Sequence, residues 1–123
     1  MDVVVVGELN PDLVFSGLDR PPVLGVEQLA SSFELTLGSS SAIFAVALAR
    51  LGPRVGMISK VGDDEFGRFC IEFLGEQGID TSHVVVDRQL KTGVTVSLSY
   101  PQDRLLVTYQ GAMASLKASD LNW

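Results

Sequence analysis

The stretch Leu37–Gly67, LGSSSAIFAVALARLGPRVGMISKVGDDEFG, decides how this chain is built. It opens on a Gly/Ser turn, Gly38–Ser41, and runs into an Ala-rich apolar segment that stops at Gly52-Pro53. It then passes through Val55–Ile58 and ends in Gly62-Asp63-Asp64 ahead of a second helical run. Any of Ser39, Ser40 and Ser41 can cap the free N–H groups that begin a helix, and those same groups can instead hold a ligand oxygen. Gly52 suits the left-handed residue that closes a helix, and Pro53 cannot continue one. Turn, helix, strand, turn, helix is half of a layered α/β domain. The first helix is apolar nearly all round, with Ala42, Ala45, Ala47 and Ala49 beside Ile43, Phe44, Val46, Leu48 and Leu51. Such a helix is expected to be buried, with little surface for water.

On the N-terminal side, Val3–Val6 is an unbroken β-branched run, the pattern of a strand covered on both faces in a parallel sheet. Its end at Gly7 is the edge where such sheets place ligands. Asn10-Pro11-Asp12 follows and, taken alone, reads as a turn, since Asn and Asp bond their own backbone and Pro fixes φ. Leu13–Phe15 and Gln28–Leu37, with Pro21-Pro22 between them, read as strands and loops standing off the main sheet.

On the C-terminal side a helix runs to about Gln77 and is stopped by Gly78, with Asp63, Asp64 and Glu65 at its mouth. Acids there suit the helix dipole and cap its N–H groups, and with no His or Cys near them in sequence they read as caps rather than metal ligands. Cys70, amid Phe69, Ile71, Phe73 and Leu74, reads as a small core residue, and His83–Val86 as a strand. Val94, Val96, Leu98 and Tyr100 alternate with Thr95, Ser97 and Ser99. Pro101–Arg104 makes a turn and Leu105–Tyr109 returns, so this segment is expected to be a hairpin with one apolar and one hydroxyl face. Ser119-Asp120 reads as a helix start.

A chain of 123 residues is one domain by length. At this size folding buries roughly two thirds of the unfolded surface. A mean hydropathy of +0.30 with 46% apolar residues is high for so small a chain. Either the α/β core is rich in Val and Leu, or apolar surface is reserved for a partner or for further sequence. The net charge of −6, with no basic cluster, argues against nucleic acid and anionic membrane as partners. One cysteine forms no internal disulfide. Val3–Val6 is far shorter than a signal-peptide core or a membrane span, so the cytoplasm is the expected location.

Gly38–Gly52 with its Ala49-Arg50-Leu51-Gly52 ending, and then Val61–Gly67 in the pattern Val-Gly-x-Asp-x-x-Gly, resemble the N-terminal signature of the ribokinase-like (PfkB-type) carbohydrate kinases. The likeness continues in order through Gly78–Ser82, Thr92-Gly93 and Gly111-Ala112. It implies a three-layer α/β/α sandwich with a small β-sheet lid, of which this chain is the N-terminal portion. Main-sheet segments would lie at about 1–9, 38–90 and 111–123, and lid segments at about 10–37 and 91–110.

The resemblance also implies a sugar site in which Asn10 and Asp12 hold hydroxyls and Gly38, Ser39, Ser40 and Ile43 line the pocket. Two positions depart from the family: Ser39 replaces the second turn glycine, and Ile43 replaces an asparagine that often touches the sugar. The implied activity is transfer of the ATP γ-phosphate to a sugar hydroxyl, with ATP and Mg as cofactors. A nucleoside kinase of the same superfamily and a non-catalytic sugar-binding or assembly module are the alternatives. The family's catalytic base comes from a Gly-Ala-Gly-Asp motif in its C-terminal half, and neither that motif nor a Walker-type loop occurs in residues 1–123. No catalytic residue is therefore assigned, the nucleotide is expected to bind mostly outside this chain, and the chain alone is expected to be inactive. Crossed lids form dimers in this family, so a homodimer through Val94, Val96, Leu98 and Tyr100 is expected.

Overall fold

The computed structural model describes residues 1–122. Trp123, the end of the segment 111–123 ascribed above to the main sheet, lies outside the described residues. The chain runs β1 (Val3–Val6), β2 (Pro11–Ser16), β3 (Ser32–Leu37), α1 (Ser40–Ala49), β4 (Val55–Gly62), α2 (Glu65–Glu76), β5 (Val84–Asp87), β6 (Val94–Ser99) and β7 (Arg104–Tyr109). Two 3₁₀ turns follow, at Gly111–Ser115 and Ala118–Asp120.

These strands form two sheets. The first is parallel, in the order β1-β4-β5, with Val3 beside Val55 and Ser59 beside Val84. Its central strand β4 is buried along its whole length. Side chains alternate along a strand, so Val55, Met57 and Val61 enter one core with Ala42, Ala45 and Val46 of α1 and Cys70 and Leu74 of α2. Lys60 emerges on the other face, where its ammonium meets the Asp120 carboxylate at 2.9 Å and donates to the Ser115 carbonyl at 3.0 Å. That clamp holds the 3₁₀ turns against the back of the sheet. Cys70 is fully buried, and burial first, then the nearby Asp64 and Asp12 carboxylates, push its thiol up to about 12.

The second sheet has the order β3-β2-β6-β7. β2 pairs antiparallel with β3 and parallel with β6, while β6 and β7 form the antiparallel hairpin expected from the sequence. On one face lie Leu13, Phe15, Phe33, Leu35, Val96 and Leu98, and the Phe15 and Phe33 rings meet at 5.2 Å. The opposite face carries Thr36, Asp12, Thr95 and Thr108.

Two expectations about cover are corrected. Val3–Val6 is not enclosed along its whole length: Val6 is 47% exposed, and among the described residues β1 pairs with β4 alone. Helix α1 is not buried all round either. Its Ala42, Ala45 and Val46 face is sealed, but Ile43 and Phe44 are more than half exposed, and Leu51 just beyond is 82% exposed. Apolarity on every side states what a helix would bury, and two neighbouring elements cover only part of it. The helix start read at Ser119-Asp120 is a single 3₁₀ turn.

Candidate functional site

The site begins where β1 ends. Gly7–Asn10 carries the chain from the parallel sheet to β2, and Leu9 and Asn10 are both buried on the way. The Gly38 N–H donates to the Asn10 carbonyl at 2.8 Å, which holds the end of β3 against this connection. A Cβ at position 38 would collide with the Asp12 carboxylate, so glycine is what lets the turn and the acid approach each other. The Asn10 amide nitrogen donates to the Pro11 carbonyl at 3.2 Å and reaches toward Asp12 Oδ1 at 3.5 Å.

Ser39 is the single non-glycine residue with positive φ among the described residues, at φ 64 and ψ 138. A side chain is strained there, which accounts for glycine at this place in the family pattern. The hydroxyl supplies the compensation: Oγ donates to the Glu8 carbonyl at 2.6 Å and accepts from the Ala42 N–H at 3.3 Å. Of the three serines that can cap α1, the N-cap is therefore Ser39.

Four of the six residues named from the sequence thus meet at one place: Asn10, Asp12, Gly38 and Ser39. Ser40 and Ile43 lie on the exposed side of the first turns of α1. Ile43 shares a cleft of about 240 Å³ with Thr36, the residue paired to Asp12 across β2 and β3. Asp12 is half-buried. Burial pushes its carboxyl above the usual range, against an opposing pull from Arg104. A carboxylate in that state gains from any hydroxyl that donates to it.

Sequence reasoning missed what ties the motifs to one another. Asp64 caps α2 by accepting from the Gly67 N–H at 2.9 Å, and the same carboxylate accepts from the Thr92 N–H at 2.9 Å and hydroxyl at 2.6 Å. The Thr92 hydroxyl in turn accepts from the Gly62 N–H at 2.9 Å. Burial alone would raise the Asp64 carboxyl, but the donors from Thr92 and Gly67 outweigh it and hold the group below its usual range. The Asp63–Glu65 turn and Thr92-Gly93 are one assembly, a joint between the two sheets.

A larger hollow lies elsewhere. A groove of about 540 Å³ between Phe15, Leu18, Val26, Phe33, Leu98 and Tyr100 opens on the apolar face of the second sheet, and no charged side chain lines it. Its polar groups, on Gln28, Ser31, Ser32 and Tyr100, are neutral, whereas Asp12 offers a carboxylate.

ATP with Mg does not fit the described residues. The mouth of α2 is filled by Asp64, which repels phosphate, and the first N–H groups of α1 are partly satisfied by Ser39. Lys60 is committed to Asp120.

A parallel sheet flanked by helices, with a second sheet standing off the C-terminal ends of its strands and a carboxylate at the junction, is the architecture of a ribokinase-like kinase. The chain belongs to the pfkB family of carbohydrate kinases, whose family model matches residues 1–123. The protein named 5-dehydro-2-deoxygluconokinase from Geobacillus thermodenitrificans is 36% identical over 122 residues, covering 95% of this chain and 34% of the relative. The crystal structure of a PfkB protein from Polaromonas sp. JS666 superposes with a TM-score of 0.84 at 31% identity, covering 99% of this chain and 40% of that one. A sugar kinase of Pyrococcus horikoshii in complex with ATP superposes at 0.81 with 29% identity, over 98% of this chain and 38% of that one. The chain spans about a third of the length of the curated relatives it matches. No helix among the described residues is long and apolar enough to cross a membrane.

Proposed function

We propose that this chain is the sugar-gripping part of a carbohydrate kinase that transfers the ATP γ-phosphate to a sugar hydroxyl. The observation that carries the reading is the half-buried Asp12 carboxylate, packed on the Gly38 turn at the junction of the two sheets with acceptor capacity to spare. In this reading Asp12 accepts from sugar hydroxyls, Asn10 steadies Asp12, and the Gly38–Ser40 turn and Ile43 bound the pocket. The second sheet is the lid, from segments 10–37 and 91–110, and segments 1–9, 38–90 and 111–123 form the main body. The nucleotide, its metal and the catalytic base belong to sequence outside residues 1–123, and the kinase acts in the cytoplasm. Phosphoryl transfer is mostly positioning and charge stabilisation, so holding the acceptor sugar still is itself a catalytic contribution.

Asp12→Ala in a kinase that contains this chain is expected to lower kcat/KM by about 1–3 kcal/mol, the cost of leaving the sugar's donors unpaired. Unchanged kcat/KM for the best substrate would overturn the assignment of Asp12.

The lid also supports a homodimer. Its apolar face and the open edge strand β7 leave Phe33 58% and Val107 61% exposed, and a second copy crossing that face would cover both. Sedimentation at micromolar concentration should show a species near twice 13.2 kDa that Val107→Asp dissociates. A single species at the monomer mass sinks the dimer.

A further inference from the structure

We infer that the groove between loop 17–31 and the apolar face of the second sheet binds a small neutral ring compound that carries a hydrogen-bond donor. It lies on the face opposite Asp12, so the inference stands apart from the sugar-kinase reading.

Register and the neck of the loop build the groove. Phe15 pairs with Phe33 on β3 and with Leu98 on β6, so three large apolar side chains stand in one row across the sheet. The Phe15 and Phe33 rings, tilted by 54° with centroids 5.2 Å apart, give a flat ring an edge and a face to pack on. Loop 17–31 leaves and rejoins the sheet at neighbouring positions, where the Ser31 N–H donates to the Ser16 carbonyl at 3.0 Å. Gly17 turns there at φ +75, and a Cβ on it would strike Ser31. Leu18 is buried, and Val26 and Gln28 line the groove from the loop side. The volume of about 540 Å³ is that of a small-molecule site.

The polar lining carries the inference. Among the described residues three buried side-chain polar atoms have no hydrogen-bond partner, and two of them, Gln28 Oε1 and Tyr100 Oη, belong to residues of this groove. Buried amide and phenol groups ordinarily find partners, so two orphans at one hollow call for a ligand. Gln28 Oε1 accepts only, whereas the Tyr100 hydroxyl donates and accepts. The Gln28 amide swings on three side-chain torsions to meet a donor in the groove. The complement is an O–H or N–H for Gln28 and a lone pair for Tyr100, on a ring body that packs against the phenylalanines. A phenol supplies all three. No charged side chain lines the groove, so an ion entering it would shed water without gaining a counter-charge. The ligand is therefore neutral.

The test titrates the 123-residue chain with 2-naphthol and with 2-methoxynaphthalene, which keeps the rings and the oxygen but lacks the O–H, and follows leucine and valine methyl resonances. Shifts are expected at Leu18, Val26 and Leu98, with the methoxy probe bound about fivefold more weakly, the worth of one neutral hydrogen bond. Gln28→Met should weaken 2-naphthol by about that factor and leave the methoxy probe unchanged. Tyr100→Phe should weaken both probes, since both present an oxygen. Neither variant should lower the melting midpoint of the free chain, because each removes an orphan. Equal binding of the two probes to wild type, or unchanged binding in both variants, overturns the inference. Binding confined to concentrations at which the chain is monomeric also overturns it and gives the groove to a second copy.

Discussion

Strands β4 and β7 make an instructive contrast. VGMISKVG contains a lysine, a serine and two glycines, yet all eight of its residues are buried; RLLVTY is richer in large apolar side chains, yet all six of its residues are exposed. Composition does not separate them, and position does. β4 lies between two strands with helices on one face and the 3₁₀ clamp on the other, whereas β7 is the last strand of a thin sheet. The same hydrophobic chemistry that makes β4 a core leaves β7 an exposed apolar edge.

The largest effect that tests this contrast is in the core. Met57→Ala, at a fully buried position, is expected to cost about 2–5 kcal/mol in urea denaturation, with transfer and cavity contributions both present. Val107→Ala, on the exposed strand, should stay within about 0.5 kcal/mol at concentrations where the chain is monomeric. Comparable losses at both sites would mean that β7 is already covered.

The next test addresses the joint between the sheets. Asp64→Asn keeps an oxygen for the Gly67 N–H but sets an NH2 donor against the Thr92 N–H, so it should cost about 1–3 kcal/mol at neutral pH, and should raise hydrogen exchange at Thr92 more than at Met57. The pH dependence has a definite sign. Because the folded-state carboxyl is held below its ordinary value of 3.8, its contribution is present above that value and lost as pH falls through the lower folded-state value. The Asn variant should therefore lose less stability on acidification than wild type, and parallel acid-unfolding curves would remove Asp64 from the joint.

The smallest effect is at the other tie, where Ser39 fastens α1 to the Glu8 carbonyl. Ser39→Gly relieves a conformation costing about 1–3 kcal/mol, while the lost cap costs only a few tenths. A net gain of roughly 1 kcal/mol is expected from the melting midpoint, and a net loss would show that the Glu8 bond outweighs the strain.

These ties mark where sequence reading stops. Gly52, Gly78, the α2 cap and the β6–β7 hairpin were legible because each is decided by neighbours a few residues away. The Asp64–Thr92 and Lys60–Asp120 contacts span 28 and 60 positions, and no local pattern announces either. Asn10, Asp12 and Gly38 were legible as motifs, but their convergence depends on the Asp12–Thr36 register. The cover of α1 was misread because Ile43, Phe44 and Leu51 report an appetite for burial, which two helices and a three-stranded sheet do not satisfy.

Cys70 turns the packing of α2 into a clock. Thiolate is the form that attacks an alkylating reagent, and a fully buried thiol held near 12 presents almost none of it to solvent at pH 8. Modification must wait for α2 to lift from β4. Its rate, compared with that of an unstructured thiol, reads the free energy of that opening directly from one natural side chain.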